Sequence, residues 1–423
     1  MSQTRPLRGG IAATVLAILA LGTLDLRGSQ PEPSGAELRV CATCPYTTLR
    51  SALLKAPSGA RVVVASGTYR EHDLEVTKPV HIFGEPGSVL NVDHKGYGLI
   101  VVANNVNIEG LTISNIKTGS IHDYSAIDGR EASNLSVLKV RIVNGFFGIH
   151  LFGCRNFLIE HNIISSTGTS TMSGNGIHVQ YSKHGEIRSN HVQGCRDGIY
   201  LEFTDSTQVI ENQSQHNSRY GLHYMFSHYN AYRKNHFQRN EAGVAVMYSS
   251  HTEMTDNVFS DNWGNAAYGL LLKDIHDGLV ANNRFDHNTS ALFLEGTNRI
   301  QIKNNYFANS GWALRLLANC QETMVEHNRF TNNSFDLTTN GQPKMAIVRR
   351  NFWDAYEGYD RDRDGYGDIP YFPINLMSAL VERQPALVSL HRSLITTLLD
   401  WVDRLLPSLT PDELVDEQPL MKH

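Results

Sequence analysis

An all-β architecture, a right-handed parallel β-helix solenoid with coils of about 22 residues, is predicted by three features of the 423-residue chain. First, a 14-residue offset recurs eight times. Ala126, Gly148, Gly176, Gly198, Gly221, Gly243, Gly269 and Ala291 are followed, 14 positions on, by Val140, Asn162, Asn190, Asn212, Asn235, Asn257, Asn283 and Asn305. Most units are 22 or 23 residues long, a period that means stacked units sharing one core. Second, each unit alternates apolar residues with period two, as strands do: Gly-Ile-His-Val at 176–179, Gly-Ile-Tyr-Leu at 198–201, Asn-Tyr-Phe at 305–307. Third, no repeat holds a ten-residue helical period, and none has the Leu-x-Leu of a leucine-rich repeat beside its Asn.

The elements follow in order. Residues 1–30 form a secretory signal or anchor: Arg5 and Arg8 precede an apolar run, 11–21, too short to span a bilayer. No Ala-x-Ala site follows, so an uncleaved anchor is the alternative. Cys41 and Cys44 form a CxxC pair, read either as a local disulfide pinning the N-terminal cap or as a thiolate metal or redox site. Export favours the disulfide. Residues 47–56 have the pattern of an amphipathic capping helix, and the β-helix fills 38–372. Within it, Phe237, Phe259, Phe285, Phe307 and Phe330 stack as an inner column ending at Trp353. The asparagines form a second column, their amides bonding from coil to coil and tolerating a left-handed turn. Cys154, Cys195 and Cys320 are scattered and read as packed thiols. A net charge of −5, with both signs interspersed, argues against a nucleic-acid partner.

Insertions fall only between an Asn and the next Gly, at 114–125, 165–175 and 260–267. On a solenoid they emerge along one edge, where binding is usually built. Met172 and Trp263 lie in these loops and are candidates for partner docking. The strand beneath turns two columns outward, His150, His178, Tyr200 and His223 in one, Glu202, Met225, Met247, Lys273 and Glu295 in the other. Thioether with imidazole is the ligand set that selects cuprous copper. The candidate copper contacts are therefore His223, Met225, Met247, His178, Glu202 and His228, with His251, Met254, Cys41 and Cys44 as weaker ones. The plainer reading is that the methionines pack under the loops as adaptable filler.

Asp360, Asp362, Asp364, Tyr366 and Asp368 supply oxygens at positions 1, 3, 5, 7 and 9 of a calcium-type loop, with Gly365 at the turn. Position 12 is Tyr371 instead of Glu, so a solvated acidic turn is the alternative to a structural calcium site. The remainder, 373–423, is a helical tail whose 385–406 stretch is amphipathic, with Leu394, Leu398, Trp401 and Leu405 on its apolar stripe. Such a stripe caps the solenoid or docks a partner.

Four segments carry a family resemblance: Tyr-Gly-Leu-His-Tyr-Met-Phe-Ser-His at 220–228, Ala-Gly-Val-Ala-Val-Met-Tyr at 242–248, Tyr-Gly-Leu-Leu-Leu-Lys-Asp at 268–274 and Tyr-Glu-Gly-Tyr at 356–359. With them the chain resembles the NosD family of nitrous oxide reductase maturation proteins. The resemblance implies a periplasmic, non-enzymatic partner of an ABC permease and ATPase. It also implies that copper comes from a lipoprotein chaperone and is destined for the copper–sulfur centre of apo nitrous oxide reductase. Two other classes stay open, a polysaccharide lyase, epimerase or carbohydrate-binding protein on the same fold and a metal-free adaptor. The thin set Glu202, Lys273 and Glu295 makes turnover unexpected.

Overall fold

The computed structural model describes residues 35–119, 122–166, 174–264, 267–341, 345–390, 393–394, 398–399, 401 and 414–422. Strand periodicity is realised as three parallel sheets of 14, 12 and 13 strands that run along a solenoid of about 13 turns. Each coil passes from the 12-stranded sheet to the 14-stranded, then the 13-stranded, and back. The residue after each repeat Gly or Ala points inward, and Ile127, Ile149, Ile177, Ile199, Leu222, Val244, Leu270 and Leu292 are fully buried. Glycine opens the strand for steric reasons. A Cβ on Gly221 would lie 2.7 Å from both the Gly243 carbonyl and the Asn240 amide.

The aromatic column forms as read, from Phe237 through Phe330 to Trp353, with ring centres 4.2 to 5.6 Å apart. The asparagine column is a hydrogen-bonded ladder from Asn162 to Asn351, each Nδ2 donating to the next Oδ1 at 2.9 to 3.1 Å. The left-handed backbone, however, falls one residue earlier than expected, on Glu211, Lys234, Asp256, Asn282 and Asn304. That residue's side chain is thrown outward by the turn, which lets the next one, the asparagine, point inward and bond. A second ladder, Asn217, Asn240, Asn262 and Asn288, lines the following corner.

Both ends are closed. At the N-terminus Cys41 and Cys44 are disulfide-bonded, and the helix Leu49–Lys55, capped by Thr48, buries Leu49, Ala52 and Leu53. At the other end Asp416 finishes the ladder, accepting from Asn351 N and Nδ2, Arg350 N and Trp353 Nε1 at 2.8 to 3.1 Å. Of the amphipathic helix expected over 385–406, the opening stretch departs from α-helix, while 394, 398–399 and 401 are helical and most of the remainder lies outside the described residues. An α-helix spans Leu376–Arg383, opened by an Asn375 capping box, and Pro385–Leu390 is a 3₁₀ turn. Pro385 lacks the amide hydrogen that would continue the α-helix. Met377 and Val381 pack on Phe335 at the solenoid's flank, with Leu387, Leu390 and Leu399 beside them.

Candidate functional site

The candidate residues lie on the outward side of the 12-stranded sheet. Strand pairing sets Asp128, His150, His178, Tyr200, His223, Ala245 and Leu271 directly opposite one another in a single column. Two residues further along the strands lies the second column, Phe152, Gln180, Glu202, Met225, Met247, Lys273 and Glu295. Met225 and Met247 are thus register partners, on strands about 4.8 Å apart. Both are half-buried, whereas the alternate residues Leu222, Tyr224, Val244 and Val246 fill the interior. Met247 packs on a separate outer cluster of Ala245, Leu271 and Phe293.

The imidazoles face outward, yet solvent scarcely reaches them: His178 is 6% exposed and His223 4%. Neighbouring rings enclose them. His178 lies between Phe147 and Tyr200, with ring centres 5.9 and 4.6 Å away; His223 lies 4.4 Å from Tyr200 and 4.8 Å from Tyr220. His150 continues the stack at 5.2 Å from His178. Among the described residues, neither nitrogen of His178 or His223 makes a hydrogen bond, and His150 Nε2 is equally buried and unbonded. A buried polar atom left in this state is costly unless something else binds it.

Two aspartates absent from the sequence-derived set sit behind the imidazoles. Asp197, fully buried, places Oδ2 3.5 Å from His223 Nδ1. Asp128, 2% exposed, accepts from His150 Nδ1 at 2.9 Å and from Arg130 Nε at 2.7 Å. Asp197 lies just before the strand Ile199–Glu202, where aspartate is also an ordinary turn residue, whereas Asp128 holds the same register position as His150, one coil before the column read from the sequence begins. Burial lowers the pKa of His178, and Glu202 opposes this from 3.7 Å. That contact, together with the 2.7 Å hydrogen bond from Gln180, holds Glu202 below the usual carboxylate range. Tyr200 completes the group by donating to Met225 Sδ at 3.7 Å. A neutral imidazole in a dry, sulfur-edged face is suited to a soft cation.

The remaining candidates separate from this group. His228 lies past the next corner, its Nδ1 2.9 Å from Ser250 Oγ. His251 is exposed and stacks on Tyr229 at 4.5 Å. Met254 is a correction: it is fully buried in the core, because its strand turns that position inward, and it presents no outward sulfur. Cys41 and Cys44, joined to each other, offer no thiolate. Burial pushes the Cys154 thiol up to about 11 and Cys195 to about 12, so these are packed thiols. Trp263 is exposed and stacks on His287 at 5.0 Å; Leu394, Leu398 and Trp401 are exposed. Met172 and Leu405 lie outside the described residues.

In the acidic loop, ligand oxygens of Asp360, Asp362 and Asp364 come within 4.8 Å of one another. Asp360 there accepts the backbone amides of Arg363, Asp364 and Gly365, and Asp368 accepts from Arg361. Tyr366 carries the Arg350 guanidinium over its ring. Tyr181, Phe203, Phe226 and Tyr248, absent from the sequence-derived columns, form an exposed stack one residue past the methionine column, reached at one end by Phe152 of that column. These four have left-handed φ of 47 to 52°, where Asn or Gly is usual, so the pattern resembles an ordinary turn series.

Among the described residues, fold and face together define a parallel β-solenoid with a sulfur- and imidazole-bearing side. Residues 85–212 and 165–359 match the family described as periplasmic copper-binding protein (NosD). The chain belongs to the NosD family. It is 30% identical, over 99% of its length and 97% of the relative's, to a protein of Pseudomonas aeruginosa named probable ABC transporter binding protein NosD. A Stutzerimonas stutzeri protein of the same name is 29% identical over 82% of this chain and 84% of its own. Among solved structures, the fold is similar to a mannuronic acid specific family 6 polysaccharide lyase from human gut microbiota. That match has a TM-score of 0.51 and 14% identity, covering 88% of this chain and all of the other. A Yersinia enterocolitica family 28 exopolygalacturonase gives 0.51 and 10%, over 74% and 78%. These two likenesses concern the fold alone. Among the described residues no helix is long and apolar enough to cross a membrane.

Proposed function

We propose that this chain is a periplasmic accessory protein of an ABC transporter that handles copper for maturation of the copper–sulfur centre of nitrous oxide reductase. Its partners in this reading are the permease and ATPase of one operon, a copper chaperone lipoprotein and the apo-reductase. One observation carries it: Met225 and Met247 are outward register partners on the face where His223 keeps both ring nitrogens buried and unbonded. Sulfur selects the cuprous ion and imidazole accepts it, with the buried Asp197 carboxylate 3.5 Å from His223 Nδ1. The exposed tail residues Leu394, Leu398 and Trp401, with Trp263, are the docking elements for the transporter.

A polyuronate lyase or epimerase needs a free base beside a carboxylate cluster. Here Lys273 and Glu295 pair with each other at 3.2 Å, and Glu202 is engaged by Gln180. Cuprous titration under a reductant is the test: Met225→Ala/Met247→Ala should weaken binding at the sulfur site at least tenfold; equal binding would show that the thioethers hold no copper, and no binding by wild type would leave only a metal-free adaptor. Sustained release of unsaturated product from alginate or pectate would replace the reading with an enzymatic one. In cells, deletion should leave nitrous oxide reductase present but short of its catalytic copper; normal copper content would defeat the pathway assignment. Calcium at Asp360, Asp362 and Asp364 is a separate part of the proposal. Calorimetric titration should give heat that Asp364→Asn removes, and a flat wild-type trace ends it.

A further inference from the structure

We infer that the ring column holds a second copper site, made of imidazole alone, at His150 and His178. The inference rests on the copper reading above for its choice of metal, and on separate residues for its geometry.

A buried aspartate stands beside two imidazoles of this face, but only His150 is hydrogen bonded to its own; His223 Nδ1 and Asp197 Oδ2 make no hydrogen bond among the described residues. Asp197 stands 3.5 Å from His223 Nδ1, and Asp128 stands 2.9 Å from His150 Nδ1, each aspartate coming from the preceding coil. Both carboxylates are buried, and both histidines keep Nε2 buried without a hydrogen bond. A carboxylate on one ring nitrogen fixes the tautomer, orients the ring and raises the basicity of the other nitrogen toward a metal. Near His223 the outward residues two positions on are Met225 and, on the next coil, Met247. At His150 the adjoining ring is His178, 5.2 Å away between centres, with both nitrogens unbonded.

The surroundings suit an ion. His150 lines a cleft of 400 Å³ with Tyr97, His122, Asp123, Asp128 and Arg130, so this end of the column opens toward solvent. Phe147 closes the neighbouring side by packing against both His150 and His178. Tyr200 lies between the two sites, stacked at 4.6 Å on His178 and 4.4 Å on His223 and donating to Met225. Thioether selects the soft cuprous ion, whereas an imidazole pair takes copper without sulfur. The face thus offers a sulfur-rich and a nitrogen-only position two coils apart, an order that suits stepwise movement of copper along the sheet.

The test is anaerobic cuprous titration of the full chain against a competing chelator, with X-ray absorption at one and two equivalents. Wild type should bind two equivalents, one with sulfur scatterers and one with nitrogen alone. His150→Ala/His178→Ala should lose the nitrogen-only equivalent and keep the sulfur-bound one; Met225→Ala/Met247→Ala should do the reverse. Asp128→Asn, which keeps the ring column intact, should weaken the nitrogen-only site about tenfold or more. Thermal unfolding of each variant separates lost binding from lost fold. Unchanged stoichiometry in His150→Ala/His178→Ala, or sulfur in both wild-type shells, overturns the inference. Retained nitrogen-only binding with no sulfur-bound copper would sink the thioether reading while this one stands.

Discussion

Tyr224 and Tyr232 stack with ring centres 5.6 Å apart inside the core, and both hydroxyls are buried without a hydrogen-bond partner among the described residues. Burial pushes both phenols above their ordinary range. An unsatisfied buried hydroxyl costs about 1–3 kcal/mol, so Tyr232→Phe should stabilise the fold by about 1 kcal/mol in urea unfolding. A destabilised variant would mean that the hydroxyl has an unseen partner. At this scale the sequence was informative where chemistry was unusual. Met225 and Met247 stood out because sulfur is rare on a strand's outer side. Asp128 and Asp197 did not, because an aspartate takes on meaning only when the neighbouring coil sets an imidazole against it.

Among elements, the asparagine ladder and its terminator carry the sharpest expectations. Asp416 satisfies three backbone amides, one side-chain amide and one indole, all at the end of the rod. Asp416→Ala leaves those donors unpaired, most of them buried, and a loss of about 3 kcal/mol is expected from chemical denaturation. A loss under 0.5 kcal/mol would show that water replaces the carboxylate. Asp336, on the strand Phe335–Thr338, behaves oppositely. Burial pushes its carboxyl up to about 7, against the pull of the Asn333 hydrogen bond. The folded chain therefore binds a proton that the unfolded chain, with a pKa of about 3.9, releases earlier. Stability should fall as pH rises from about 4 to 7 through this group, and Asp336→Asn should raise Tm at pH 8 while flattening that slope. A parallel profile in the variant would refute it.

For the whole molecule, coil-to-coil register is what the sequence encodes most redundantly. Glycine, inward aliphatics, asparagine and phenylalanine all recur at one spacing, so each confirms the others. The ends were less legible because they do not repeat. The helix Leu376–Arg383 and the return of Asp416 depend on contacts made once, including Arg315 to Glu382 at 2.7 Å. Register also predicts where the chain accepts change. One extra glycine within 114–125 should alter stability by under about 0.5 kcal/mol, since loop closure varies slowly with length. The same insertion between Gly198 and Asn212 moves every following side chain to the wrong face and should prevent soluble expression. Equal tolerance at both places would contradict the stacking.

The closed C-terminal end also supplies an optical handle. Trp353 is fully buried, its indole stacked on Phe330 and hydrogen bonded to Asp416, while Trp263 and Trp401 are exposed. Its fluorescence should be blue-shifted relative to theirs and move to the red when that end frays, reporting local opening before the rest of the rod melts.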